Sequence, residues 1–435
     1  MSVVSLPADA VSAFMDRVLD DLQVTAPELS AQISRLRGRT AEAPRILVTG
    51  GPGAGASTLV RALVGDAGTD GSSEPVLWCA AGRSVPEDVP VGVRVRQVAG
   101  AALQNLTLID GAGTAGEATA AVAACADAVV YLVDREPSVA DRERIRQLGF
   151  GPAGTVLVVS RADEFGAGSL GSTDPLADAR GYARALSEDT SSWVTAVAVS
   201  PLLTAAASSP AVTGDAGLAA RLASYRSPAV AAGLLGTDVP PALMADLQLV
   251  GTYGVLHGGA GGDQPGRWLA DVSGVGDLRT LLLGRLAQAA LLRRSAEILD
   301  EAGQLRFTAS DPAAVGEVLD RAGSAPEAWR IRLFPEIARL AEAGMDDDAA
   351  LVARIGDADS PADLAGVPAG SPQVEVLNGL REQLRTVNLR LTGFTVPVVE
   401  TALTAVSVVL RRAIGEVETG LGGSDYSTDA GLWKT

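Results

Sequence analysis

Residues Gly50 to Thr58 read Gly-Gly-Pro-Gly-Ala-Gly-Ala-Ser-Thr. Ahead of them, Ile46-Leu47-Val48-Thr49 has the composition of a short buried strand; behind them, Leu59-Val60-Arg61-Ala62-Leu63-Val64 suits the first turns of a helix. Strand, glycine-rich turn and helix in that order make the setting of a phosphate-binding loop. Glycines let successive backbone N–H groups face an anion, and the helix start adds its positive end. Against the pattern G-x-x-x-x-G-K-[ST], Gly50 and Gly55 supply the glycines, Gly53 lies between them, Ser57 supplies a hydroxyl for Mg²⁺, and Thr58 follows. The lysine position is Ala56. A lysine there would reach the β- and γ-phosphates.

Outward from the loop, residues 45 to 200 alternate strand and helix patterns. Strands are expected at Ile46–Thr49, Val76–Cys79, Val93–Val98, Leu106–Ile109, Ala128–Val133, Val156–Val159 and Val194–Val199. Helices are expected near 57–64, 116–126, 138–148 and 174–187. Strands dense in Val, Ile and Leu are those buried on both faces, so the expectation is an open, mostly parallel α/β sheet. Such sheets bind ligands at the carboxyl ends of their strands, where the glycine loop lies.

The flanks read differently. Val11, Phe14, Met15, Val18 and Leu22 have helical spacing, and Thr25 with Glu28 fits a capping box that would start a second helix. After residue 240 the pattern is helical: Asp277–Leu305, Ala313–Ala322, Glu327–Ala343, Ala349–Ile355, Val374–Leu391 and Val398–Val417, with Pro335 expected to kink or split Glu327–Ala343. The expected division is N-terminal helices over 1–42, a sheet domain over 43–235, an all-α bundle over 236–419 and a Gly/Ser/Asp-rich disordered tail over 420–435.

Composition narrows the function. The 435 residues carry a net charge of −17 and are 47% hydrophobic, so a large core is expected and nucleic acid is not an expected partner. The one lysine is Lys434, so a replacement phosphate cation from the chain body would be an arginine, with Arg61, Arg83, Arg94 and Arg96 the candidates. Cys79, Cys125 and the single His257 form no metal-ligand cluster and are expected to be structural. No leader or membrane span is expected, so the expected location is cytoplasmic.

Two more strand ends carry motifs. Leu108-Ile109-Asp110-Gly111-Ala112-Gly113 offers D-x-x-G, in which Asp110 would hold Mg²⁺ through water and Gly113 would sense a γ-phosphate. Ser160-Arg161-Ala162-Asp163 matches the guanine reader [NT]-K-x-D with Ser for Asn or Thr and Arg for Lys; Asp163 would accept from the base and Arg161 would stack on it. Val197-Ala198-Val199-Ser200 ends a strand where a further base-binding loop would follow, with Ser200 as its candidate.

Three such elements in this order resemble the GTPases of the translation-factor and dynamin-like class. VVSRADEFGAG from Val158, VTAVAVSPLLTAAA from Val194, LVGTYGVLHGG from Leu249 and VSGVGDLRTLLLGRLAQAALLRRSAEIL from Val272 look like the bacterial dynamin-like group that includes the isoniazid-inducible GTPases of mycobacteria and related actinobacteria. The resemblance implies an α/β P-loop GTPase domain whose flanking helices form a stalk or neck. It implies GTP or GDP with Mg²⁺ as ligands, and a second dynamin-like GTPase, identical or not, as partner. It also implies peripheral, indirect contact with the inner face of a membrane. The chain departs from the family at Ala56, at Ala112 where dynamin-like proteins carry proline, and in the first switch, where Thr69 is the nearest threonine. The expected function is therefore a degenerate member, a weak guanine-nucleotide binder or pseudo-GTPase that serves an active partner. The alternatives are a working GTPase with an arginine or partner-supplied cation, and a nucleotide-free scaffold.

Overall fold

The computed structural model describes residues 8–65, 75–81, 89, 92–98, 105–111, 117–134, 136–171, 174–188, 195–225, 234, 239–323, 325–356, 358, 360–393 and 395–424. Its sheet has seven strands: β1 Arg45–Gly50, β2 Val76–Ala80, β3 Arg94–Val98, β4 Thr107–Asp110, β5 Ala128–Val133, β6 Thr155–Val159 and β7 Thr195–Ala198. These are the seven expected segments. Their order is β3-β2-β4-β1-β5-β6-β7. All neighbouring pairs are parallel except β2 and β4. The chain leaves β1 to build one side of the sheet and returns past it to build the other, so the turn after β1 lies at a switch point.

Side-chain chemistry explains the placement. β1, β5 and β6 are buried on both faces, as their unbroken Val/Ile/Leu runs require. β3, at the edge, alternates half-buried and exposed residues. The helix Ala56–Val64 follows the glycine loop and buries Leu59, Val60 and Leu63 against Ile46 and Val48 of β1 and Val130 of β5. The helix Val139–Gln147 opens on a capping box in which Ser138 and Asp141 satisfy each other's N–H groups.

The chain forms two compact units. One is Glu42–Phe150 with Gly154–Ala290; the other is Met1–Ala41, Gly151–Ala153 and Leu291–Thr435. The boundary expected at 235/236 lies instead at Ala290/Leu291. The reason for the difference lies in what the helices after 240 bury. Leu243, Val250, Tyr253 and Leu269 share a cluster with Val159, Ala198 and Leu203, and Val275, Leu278, Leu282 and Leu286 pack beneath β1. Helical periodicity reveals an apolar face but not the surface it will cover. A single π-helical turn, Leu282–Leu286, separates the helices Val275–Leu281 and Ala287–Leu305.

Within the second unit, the helix Ala8–Thr25 buries Val11, Phe14, Met15, Val18, Leu19 and Leu22 along one stripe. The expected capping box does not form: Thr25 closes that helix, a 3₁₀ turn Pro27–Leu29 follows, and Glu28 accepts the Ser310 N–H at 2.8 Å. The helix Pro326–Glu342 runs through Pro335 without splitting. Gln373–Thr392 and Pro397–Ser424 make an antiparallel pair, bridged by Arg381 and Glu418 at 2.7 Å. Residues 420–424 thus belong to a helix rather than to the expected tail, whose remainder lies outside the described residues. No helix among the described residues is long and apolar enough to cross a membrane.

Glu336 is a stress point in this unit. It is 7% exposed, Arg339 donates to its Oε1, and its Oε2 has no hydrogen-bond partner. Burial pushes its carboxyl above the ordinary glutamate range despite Arg339. The folded form therefore holds the proton more tightly than the unfolded chain, and deprotonation costs stability. That cost is absent below the unfolded value and complete above the folded one. Glu336→Gln is expected to raise the unfolding midpoint at neutral pH, with the gain disappearing below about pH 4; denaturation scans of both proteins at several pH values check this.

Candidate functional site

The loop after β1 is shaped by three glycines, one for a close approach and two for their backbone angles. A Cβ at Gly50 would lie 2.4 Å from the Leu132 carbonyl oxygen of β5, so only glycine lets the two strands end side by side. Gly53 and Gly55 have φ of 74° and 91°, the left-handed region that side chains avoid. These turns deliver the chain to the helix Ala56–Val64, whose start has no side-chain cap. Its first N–H groups are thus left for water or an anion.

Two residues from the end of β6 hold this loop from the side. The Ser160 hydroxyl, fully buried, donates to the Ala54 carbonyl. Arg161 Nη2 donates to the Gly53 carbonyl at 3.0 Å. Arg161 adopts φ 51°, the one positive value at a non-glycine residue among those described. Asp134, just beyond β5, and Glu164 lie 3.8 and 3.9 Å from its guanidinium. Ser160 and Arg161 were expected to face a base; here their hydrogen bonds brace the loop. Arg161 keeps a half-exposed side chain with a planar face.

At the neighbouring strand end, Ser57 Oγ donates to Asp110 Oδ1 at 3.0 Å. Asp110 is 7% exposed, and the Gly111 N–H bonds back to Val48 of β1 at 3.0 Å. A hydroxyl and a carboxylate in contact at a loop of uncapped N–H groups are a hard oxygen donor set suited to Mg²⁺ beside a phosphate. Ala56 is buried, its methyl part of the apolar cluster around β1. Thr58 is exposed on the helix. Gly113, together with Ala112, Thr69 and Arg83, lies outside the described residues.

Asp163 sits in a 3₁₀ turn, Ala162–Glu164, and is 4% exposed. Its Oδ1 has no hydrogen-bond partner. A buried acceptor left so costs about 1–3 kcal/mol, more when charged, and is a reason to look for a ligand that donates. Guanine offers two adjacent donors, N1–H and the 2-amino group, so the site fits the base at this atom. Ser200 does not extend the base site. Its N–H donates to the Ser273 carbonyl, its Oγ accepts the Leu203 N–H as a helix cap, and the next residue is Pro201, which has no N–H. A Ser-Pro pair after a strand is a sequence signal for a helix start, and it was legible as such.

Two contributors were missed from sequence. Asp134 follows an apolar strand as its first charge, a position that marks the ligand edge of the sheet. Gly251, from a helix far along the chain, reaches Asp163: a Cβ there would be 3.7 Å from Asp163 Oδ2. The expected structural residues behave as such. Cys79 is buried, Cys125 is partly buried, and His257 stacks on Tyr253 with ring centroids 4.5 Å apart.

No family model and no curated protein matches the chain. Two solved structures of an oligomerised bacterial dynamin pair, described as providing a mechanism for the long-range sensing and tethering of membranes, are similar to it. Both share 10% identity, with a TM-score of 0.31 over 88% of this chain and 61% of the other, and of 0.30 over 95% and 74%. The chain thus spans about three fifths of the first of these proteins. A likeness this faint carries no weight for the site or its chemistry.

Ser160→Ala removes the donor to a buried carbonyl. It is expected to lower the stability of the sheet unit by about 1–3 kcal/mol and to speed amide exchange across residues 51–55, as read by urea denaturation and hydrogen exchange.

Proposed function

We propose that this chain is a degenerate dynamin-like GTPase that binds guanine nucleotide weakly with Mg²⁺ and acts as the partner or scaffold of a second, active GTPase. The buried Asp163 carboxylate with an unpartnered oxygen, at a strand end beside a braced glycine loop, is the observation that carries this reading. In it, Asp163 reads the base edge and the half-exposed Arg161 supplies a flat face against the base. Gly53, Gly55 and the start of the helix Ala56–Val64 offer N–H groups to the phosphates, while Ser57 and Asp110 hold the metal.

The phosphate end is the weak one. Ala56 brings no charge, and a charge-assisted hydrogen bond is worth about 1.5–3 kcal/mol. Stabilisation of transition-state charge by one donor is commonly worth about 10²–10³-fold in rate. A chain lacking it retains recognition of the base better than hydrolysis. Dynamin-like proteins act through paired GTPase domains, so the partner in this reading is a second dynamin-like chain, and membrane contact runs through that assembly.

Two substitutions test the two ends. Asp163→Asn is expected to weaken GDP binding by at least about tenfold and to shift preference towards xanthine nucleotides, measured by competition against a fluorescent nucleotide. Unchanged guanine preference would overturn the assignment of Asp163. Ala56→Lys is expected to tighten GTP binding by about tenfold or more. No gain would mean that the phosphate end lacks more than its lysine.

A further inference from the structure

The carboxylate assigned to the base is shut off in this conformation, and the groups that shut it off come from two helices beyond the motif. The helix Pro241–His257 is broken at Gly251, where φ is 67° and ψ is 177°. That combination is essentially restricted to glycine. A Cβ at Gly251 would lie 2.8 Å from Leu202 Cδ2 and 3.7 Å from Asp163 Oδ2. The backbone at the break and the Leu202 side chain therefore meet beside the Asp163 carboxylate, whose Oδ1 has neither solvent nor a donor.

The two sides of the break differ in how they are held. Ahead of it, Asp246 is 2% exposed and takes Arg221 Nε and Nη2 at 2.9 and 2.8 Å and the Tyr225 hydroxyl at 2.9 Å. Beyond it, Tyr253 stacks between His257 and Trp268. Gly251 interrupts the helical ladder between these two anchors and is the natural hinge. Leu202 is the second residue of the helix Pro201–Ser208 and is 36% exposed, and its Cδ2 lies against the Gly251 backbone that adjoins Asp163, so it approaches the break from the surface rather than from the core.

We propose that Gly251 and Leu202 form a cap over the Asp163 carboxylate that lifts when a guanine base binds, with Leu202 setting the affinity for the base. The proposal rests on the reading of Asp163 as the base reader. Closed, the cap leaves a buried acceptor unsatisfied; open, the base supplies the missing donors. The apparent affinity is the intrinsic affinity reduced by the fraction of molecules that are open.

The test uses the full chain and its Leu202→Ala, Asp163→Asn and doubly substituted forms, titrated with GDP and, as control, ATP. Leu202→Ala is expected to tighten GDP binding by about threefold or more, with no gain for ATP and no gain when Asp163→Asn is also present. GDP binding that depends on Asp163 but is unchanged or weaker in Leu202→Ala would overturn the cap and leave the base assignment standing. Absence of GDP binding in every form would remove both. Hydrogen exchange on the unsubstituted chain gives a second measurement: GDP is expected to speed exchange at residues 250–254, and unchanged or slower exchange there would overturn the cap.

Discussion

The loop after β1 is held in place from the end of β6, the second strand along from β1 in the sheet. Its glycines give it the shape to approach an anion, but glycine offers no side chain to fix that shape. The Ser160 hydroxyl on the Ala54 carbonyl and the Arg161 guanidinium on the Gly53 carbonyl supply the fixing. Because both residues lie at the end of β6, the loop, the Ser57–Asp110 pair and Asp163 are tied to one edge of the sheet. The segment proposed to recognise a base thus also sets the geometry of the glycine loop.

This coupling bears on the missing lysine. With Ala56 the loop has no side-chain cation of its own, and its remaining pull on an anion comes from backbone N–H groups and the helix start. Those contributions are smaller and more distance-dependent than a charge-assisted bond. Arg161 lies close by, but its hydrogen bond to Gly53 and its two carboxylate neighbours orient it along the loop. In the proposed reading, the base end keeps its acceptor in Asp163, while the phosphate end would depend on backbone dipoles and a metal held by Ser57 and Asp110.

Much of the architecture was legible before any coordinates. Buried strands announce themselves by runs rich in Val, Ile and Leu, as in β1, β5 and β6, while β3 shows the alternation of an edge strand, and all seven expected segments are strands in the structure. The motif ends of β1, β4 and β6 converge as their order implied. What escaped has a common cause. The surface that an amphipathic helix will cover is not written in its period, so the helices Pro241–His257 to Val275–Leu281 were assigned to the bundle although they bury against the sheet. Glu28 chose a distant N–H over the local cap, a tertiary contact that no local pattern reveals. Ser200 looked like a base contact, yet the proline after it makes it a helix cap. Gly251 carries no local motif that marks it, and only the fold places its backbone beside Asp163.

The most direct measurement of the central claim is equilibrium binding of GDP, GTP and ATP to the unsubstituted chain, with and without Mg²⁺, by calorimetry. The account predicts micromolar binding of GDP and GTP and none of ATP, because Asp163 accepts from donors that adenine does not present. Failure to bind GDP at millimolar concentration, or equal binding of GDP and ATP, would contradict it.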